Sequence, residues 1–302
     1  MAAMVTLRQL RYFVALTEHL HFGRASSALN VTQPALSMQI RELEDQLGVT
    51  LCERRGKGVL LTPEGDEIAR RARSILLSVE DMENAATVLR EPLTGNLRLG
   101  IIPSVAPYFL PALLPLLDEE YPDLRLQVRE AQTQFIVEDL QEGRLDVVII
   151  ALPAPTAEFE SEPIFDDPFF LAVQAESVPA TDVCTALDLL QPEKLLLLEE
   201  GHCLRDQALN FCDMVSEDLA DRFGASSLTT LLQLVANGRG MTLLPEICVG
   251  PEAETDRIRL LTFPEPVPKR QIGLAWRRTS SRHEDFQTLA GCMQRARSQL
   301  RN

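Results

Sequence analysis

No stretch of eighteen consecutive apolar residues occurs in the chain, which excludes a membrane-spanning helix of ordinary length. The opening residues, MAAMVTLRQLRYF, have no apolar core followed by a cleavage site, so export is not expected and the cytoplasm is the expected compartment. No CxxC pair or other metal-ligand spacing is present. The six cysteines, at 52, 184, 203, 212, 248 and 292, are scattered, so neither zinc nor any other metal or cofactor is expected. In a reducing compartment such cysteines default to small buried hydrophobes.

Positive charge is also scarce: 29 Lys and Arg stand against 44 Asp and Glu, a net charge of −15. That excess of acid would repel a phosphate backbone, but it is unevenly spread. Residues 1–62 hold seven basic groups against five acidic ones, and the remaining residues hold 22 against 39. Any contact with DNA is therefore confined to the N-terminal part.

That part reads as a DNA-binding head. From Thr6, the residues Leu10, Phe13, Val14 and Leu16 recur at helical spacing. Phe22 to Leu29 makes a short helix, Asn30-Val31 a tight turn, and Thr32 caps a further helix with Pro34 in its first turn. Leu36, Ile40, Leu43 and Leu47 form its buried stripe, leaving Gln33, Ser37, Met38 and Arg41 outward. Two short helices around a tight turn, with polar groups at the start of the second, make a helix-turn-helix suited to a major groove. The segment VTLCERRGKGVLLTPEG adds two short strands around Arg55-Gly56-Lys57-Gly58, and Arg54, Arg55 and Lys57 make it a wing that touches phosphates. With Gln33, Pro34, Ser37 and Arg41, these are the expected DNA-binding residues. By itself the basic hairpin would fit a solvated loop equally well.

Thr62-Pro63-Glu64 starts a long helix that runs to about Arg90. Along it Ile68, Ala72, Ile75, Val79, Met82, Ala86 and Leu89 fall at alternating steps of four and three, the spacing of a coiled-coil seam. It reads as a dimerisation helix. After PLTGN, strands and helices alternate: LRLGII, a helix at 107–120, LRLQVREA, a helix at 134–142, DVVIIAL, FFLAVQ, LLLLEE, helices after His202 and at 227–237, then MTLLP, RLLTF and IGLAW. This pattern predicts parallel sheets with right-handed crossovers, in two α/β lobes facing a cleft. The expected organisation is a winged helix-turn-helix at 1–62, a linker helix at 63–92 and a regulatory domain at 93–302. Within the last, lobe I takes 93–167 and 268–302, and lobe II takes 168–267. Ligands in such sheets sit beyond the carboxyl ends of the strands, which is where Ser104, Thr133 and His202-Cys203 fall.

The stretch GHCLRDQALNFC carries the chemistry. If residues 204–211 are helical, about 1.5 Å of rise per residue separates Cys203 from Cys212 by roughly 13 Å, whereas a disulfide needs Cα atoms within about 7 Å. Either the two never pair, or they pair only once the segment stops being a helix. Cys203 at a helix N-terminus would meet unpaired N–H groups and a positive dipole end. His202 offers a hydrogen bond and Arg205 a permanent charge, and both favour the thiolate that reacts with oxidants, while Asp206 opposes them. Cys212, closing the apolar run ALNFC, would alone be read as core, and Cys52, Cys184, Cys248 and Cys292 are read as structural.

Together these motifs resemble the LysR-type transcriptional regulators, whose winged helix-turn-helix is followed by a linker helix and a two-lobed Rossmann-like, periplasmic-binding-protein-like effector domain. The HCLRD…C spacing, with IIPSVAPYFLP, REAQT, LDVVIIAL and SLTTLLQLVANGRGMTLLP, is similar to the peroxide-sensing members. The resemblance spans nearly the whole chain. It implies a homodimer or homotetramer acting with RNA polymerase on promoter DNA. In it peroxide oxidises Cys203 to a sulfenic acid, Cys212 resolves that acid as a disulfide, and glutaredoxin or thioredoxin reduces it. It further implies peroxide-binding or activating roles for Ser104, Thr133, His202, Arg205, Asp206 and Arg270. Where the family more often has threonine, this chain has Ser104, which keeps the hydroxyl.

Three alternatives stand beside that reading. One is a regulator of the same family whose cleft binds a small metabolite. Another is a thiol peroxidase, for which residues 1–62 would have no use. The third, a solute-binding transport protein, fits the two lobes but not the missing export signal.

Overall fold

A computed structural model describes residues 5–56, 58–85, 92–178, 185–190, 194–211, 224–250 and 256–300. The chain divides into two compact units, residues 1–89 and 90–302.

In the first unit each helix starts where a side chain can serve its free N–H groups. Thr6 and Gln9 form a capping box at the head of α1 (Leu7–His19). The His21 Nδ1 accepts from the Gly23 and Arg24 N–H groups to start α2 (Phe22–Ala28). Thr32 caps α3 (Gln33–Leu47) after a turn in which Asn30 takes φ +53°. Phe13, Leu16, Phe22, Leu36, Ile40 and Leu43 close the core between the three helices. At the far end of α3 the Glu44 carboxylate accepts from the Leu51 and Cys52 N–H groups, docking the antiparallel hairpin β1 (Cys52–Arg55) and β2 (Gly58–Leu61). Thr62 caps α4 (Pro63–Ala85). A side chain at Gly65 would lie 2.0 Å from the Leu51 carbonyl, so only glycine lets the hairpin and α4 approach this closely.

The seam expected along α4 is divided. Ala69 and Ala72 are buried within the unit, Ile68 packs against its core, and Arg73 donates to the Thr17 hydroxyl. Those positions hold α4 to its own head. Ile75 and Met82 remain exposed, and Ala86 and Leu89 lie outside the described residues.

The second unit is built on one seven-stranded sheet ordered β10-β6-β11-β5-β3-β4, with β9 paired to β6. Strands β3 (Gly95–Ile101), β4 (Leu124–Glu130) and β5 (Val147–Leu152) are parallel, joined by α5 (Ala106–Glu120) and α6 (Thr133–Gln141). Here the expected crossovers are found, and β5 is buried from Val147 to Ala151, as parallel strands inside an α/β sheet are. The rest of the sheet departs from expectation. β6 is a single 16-residue strand, Phe159–Gln174, and every pairing it makes, with β11 (Lys269–Arg277), β10 (Ile258–Thr262) and β9 (Thr242–Pro245), is antiparallel. Its N-terminal half, FESEPIFDDP, carries prolines and acids, which read as breakers rather than strand.

Beyond β6 come the short α7 (Ala186–Leu189) and β7 (Leu197–Leu198), which is paired in parallel with β8 (Gly224–Ala225). They are followed by α8 (Cys203–Phe211), α9 (Leu228–Ala236) and a 3₁₀ turn at Glu246–Cys248 after β9. The run LLLLEE is thus strand only at its centre. A last helix, α10 (His283–Leu300), adds to those expected and buries Phe286, Leu289 and Met293 in the core. A single apolar cluster runs through the unit from Leu97 on β3 to Leu243 on β9.

Candidate functional site

The loop after β7 brings the chain to Gly201, whose φ of +92° suits glycine; a Cβ there would lie 2.4 Å from the Gln132 side chain. His202 follows and is buried, and Cys203, half-buried, opens α8. The helix is held at its first turn, because the Arg205 guanidinium donates to the Leu198 carbonyl at 3.1 Å. Leu204 and Ala208 face the core, and Phe211 meets the Phe263 ring edge-on at 5.0 Å. At helical rise Cys203 and Phe211 stand about 12 Å apart along the axis. Cys212 lies outside the described residues.

Three strand ends meet at Cys203, as the sheet pattern predicts. A narrow crevice, about 180 Å³ counting the part open to solvent, is lined by Ser104 with Ile102 and Pro103, by Gln132 and Thr133, and by His202 to Leu204. Ser104 is buried between β3 and α5. Its hydroxyl accepts from the Arg270 Nη1 at 2.7 Å, and its carbonyl accepts from the Arg270 Nη2 and the Cys248 thiol, both at 3.2 Å. Thr133 opens α6, and its Oγ1 is buried with no hydrogen-bond partner among the described residues. Such an orphan costs about 1–3 kcal/mol unless something binds it.

Arg270 is enclosed, and its Nε donates to Asp167 at 2.8 Å in an ion pair with both side chains 1% exposed or less. Burial works against the charge, but the carboxylate of Asp167 and the neighbouring thiols of Cys248 and Cys203 outweigh it and raise the guanidinium pKa. The other Asp167 oxygen accepts from the Ile247 N–H at 2.9 Å. Burial lowers the His202 pKa against the opposing charge of Glu199, which keeps the imidazole neutral and able to donate or accept. Burial also pushes the Cys248 thiol pKa far up, against the pull of Arg270.

Of the residues named from sequence, Ser104, Thr133, His202 and Cys203 line the crevice, and Arg270 stands behind Ser104. Arg205 is turned to β7, and Asp206 is exposed on the outer side of α8. Three participants were not singled out. Gln132 sits at the same strand end as Thr133, so the strand-end rule reaches it. Asp167 and Cys248 lie far along the chain and meet Ser104 only through the sheet.

In the first unit Gln33, Pro34 and Arg41 are exposed along α3, and Ser37 is half-buried. Arg55, whose side chain is 72% exposed, makes only a loose 3.6 Å ion pair with Glu53. The Arg54 side chain and Lys57 lie outside the described residues.

Residues 7–66 match the bacterial regulatory helix-turn-helix model of the lysR family, and residues 90–298 match the LysR substrate binding domain. The chain belongs to the LysR family. Among curated LysR-family relatives, it is 42% identical to the DNA-binding transcriptional dual regulator OxyR of Escherichia coli K12, over 95% of this chain and 94% of that one. It is 44% identical to a probable hydrogen peroxide-inducible genes activator of Streptomyces viridosporus, over 98% and 95%. Among solved structures, a cysteine-to-aspartate variant of full-length OxyR from Pseudomonas aeruginosa superimposes with a TM-score of 0.78 at 34% identity, covering 96% of this chain and 98% of that one. An H2O2-bound cysteine-to-serine variant of Corynebacterium glutamicum OxyR gives 0.66 at 36% identity, covering 99% and 95%. The two LysR models meet the two compact units, and the gap between them, residues 67–89, takes in most of α4.

Proposed function

We propose that this LysR-family regulator senses hydrogen peroxide through Cys203 and activates oxidative-stress genes. The observation that carries the reading is a cysteine at the first turn of α8, facing a buried threonine hydroxyl that has no partner among the described residues and a serine hydroxyl braced by arginine. Peroxide seated there meets hydroxyl donors on the side away from sulfur. The Cys203 sulfur attacks one oxygen, the O–O bond breaks, and the departing oxygen takes a proton and leaves as water. Donors aimed at that oxygen stabilise the charge as it develops. Ser104 can be such a donor, because its oxygen accepts from Arg270 and its own hydrogen stays available.

The resulting sulfenic acid condenses with the Cys212 thiol, giving a disulfide and a second water. With α8 helical the sulfurs are too far apart, so the segment unwinds. That undocks Leu204, worth about 2 kcal/mol of apolar burial, and separates Phe211 from Phe263, worth about 1 kcal/mol. The crevice is too narrow for a drug-sized metabolite, whose sites begin at roughly 300 Å³.

The division proposed is a winged helix-turn-helix at 1–62, a linker helix at 63–92 and a regulatory domain at 93–302, with Gln33, Pro34, Ser37, Arg41, Arg54, Arg55 and Lys57 contacting DNA. The exposed Ile75 and Met82 on α4 support pairing of two copies, as a dimer or within a tetramer. Contact with RNA polymerase and reduction by glutaredoxin or thioredoxin complete the proposed cycle.

The test is a thiol map. Fully reduced protein receives a near-equimolar pulse of H2O2, then alkylation, digestion and mass spectrometry. A peptide pair linking Cys203 to Cys212 within seconds is expected; both cysteines remaining alkylatable while peroxide persists would overturn the reading.

A further inference from the structure

Ser104 lies in a loop between β3 and α5, where a backbone and hydroxyl are free to drift unless something holds them. Two groups do so. Arg270 donates to both its oxygens, and the Cys248 thiol donates to its carbonyl at 3.2 Å from far along the chain. Cys248 reaches that position because the 3₁₀ turn Glu246–Cys248 is itself fastened one residue earlier, where the Ile247 N–H donates to Asp167, the partner of Arg270. The thiol is 1% exposed and sits behind the crevice rather than on its wall.

We propose that Cys248 is a positioning residue for the peroxide reaction: its S–H fixes the Ser104 carbonyl, and through that peptide it sets the direction in which the Ser104 hydroxyl donates. The inference rests on the peroxide reading above. It gives a second cysteine a role opposite to that of the first. Cys203 acts through its sulfur lone pair at a half-open site, whereas Cys248 acts through its hydrogen in a closed one. Burial holds that hydrogen in place, and a thiol so enclosed neither attacks the sulfenic acid at Cys203 nor meets peroxide itself.

The test compares two reagents at one sulfur. Cys203 in the full-length reduced protein reacts with H2O2, which needs the Ser104 donor, and with iodoacetamide, which does not. Both rate constants are measured for wild type, Cys248→Ala and Cys248→Ser. Each substitution is repeated in a Ser104→Ala background. Loss of one neutral hydrogen bond predicts a peroxide rate lower by about fivefold in Cys248→Ala. Cys248→Ser, which keeps a donor, recovers most of it, and the iodoacetamide rate stays put in both. In the Ser104→Ala background the Cys248 effect vanishes, because the hydroxyl it steers is gone. An unchanged peroxide rate, an equal loss with both reagents, or a loss that persists without the Ser104 hydroxyl overturns the role. If wild-type Cys203 reacts with H2O2 no faster than an ordinary free thiol, the peroxide reading itself falls, and that outcome is visible before any variant is made.

Discussion

The contact between Phe211 and Phe263 packs the far end of α8, and it makes the proposed unwinding step measurable apart from the chemistry. Phe263 is 5% exposed, follows β10 and is no part of the crevice. Phe263→Leu keeps an apolar side chain in place but removes the edge-on ring contact at 5.0 Å. Such a contact is worth about 1 kcal/mol beyond its area, which corresponds to about fivefold in an equilibrium. Oxidation followed in a stopped-flow instrument should show two phases. The first scales with peroxide concentration and reports attack at Cys203; the second does not and reports closure. Phe263→Leu should leave the first phase unchanged and speed the second by about fivefold. Destabilising the helical form also favours the disulfide, so its potential should fall by about 20 mV. The melting temperature should drop by about 2–4 °C. A second phase of unchanged rate, in a variant whose melting temperature has fallen, would refute the reasoning, because Phe211 would then remain docked during closure.

Three other outcomes follow from the same geometry. Thr133→Val removes a buried hydroxyl that has no partner among the described residues, so it should leave the urea midpoint unchanged or raise it, while the H2O2 rate constant falls about tenfold or more. Asp167→Ala strands a buried guanidinium and should lower the unfolding free energy by about 3–5 kcal/mol in urea titration, with the double change Asp167→Leu, Arg270→Met regaining most of it. His202 has its pKa lowered by burial in the folded chain, so its neutral form contributes stability that is present above about pH 6.5 and lost as pH falls through the lower folded value. Urea midpoints should therefore decline below that pH more steeply in wild type than in His202→Gln, and parallel curves would disprove it.

How much of this was legible in the sequence depended on whether the deciding contact was local. The head was readable almost residue by residue, because caps such as Thr32 and Thr62, the turn at Asn30 and the stripe Leu36–Ile40–Leu43 act within a few positions of one another. The convergence of Ser104, Thr133 and Cys203 was readable too, since strand ends in such sheets share one side. What local pattern hides is pairing across the sheet. The Asp167–Arg270 pair spans 103 residues, and the Cys248–Ser104 bond spans 144. No periodicity announces either. The prolines and acids of β6 likewise conceal a strand that its antiparallel partners make possible. Arg205, two residues from Cys203 in sequence, is turned toward β7 in the fold.

The continuity of β6 bears on how a signal leaves the site. Its 16 residues run along β11 at one end and along β9 and β10 at the other, like a girder bolted to both floors of a building. A jaw-like closure of the two floors around a guest would have to bend that girder and shear the rungs that fasten it. The nine-residue α8 takes no part in those pairings. On the proposed reading, a covalent event at Cys203 would change the local relief at α8 while the strand pairings of β6 stay as they are.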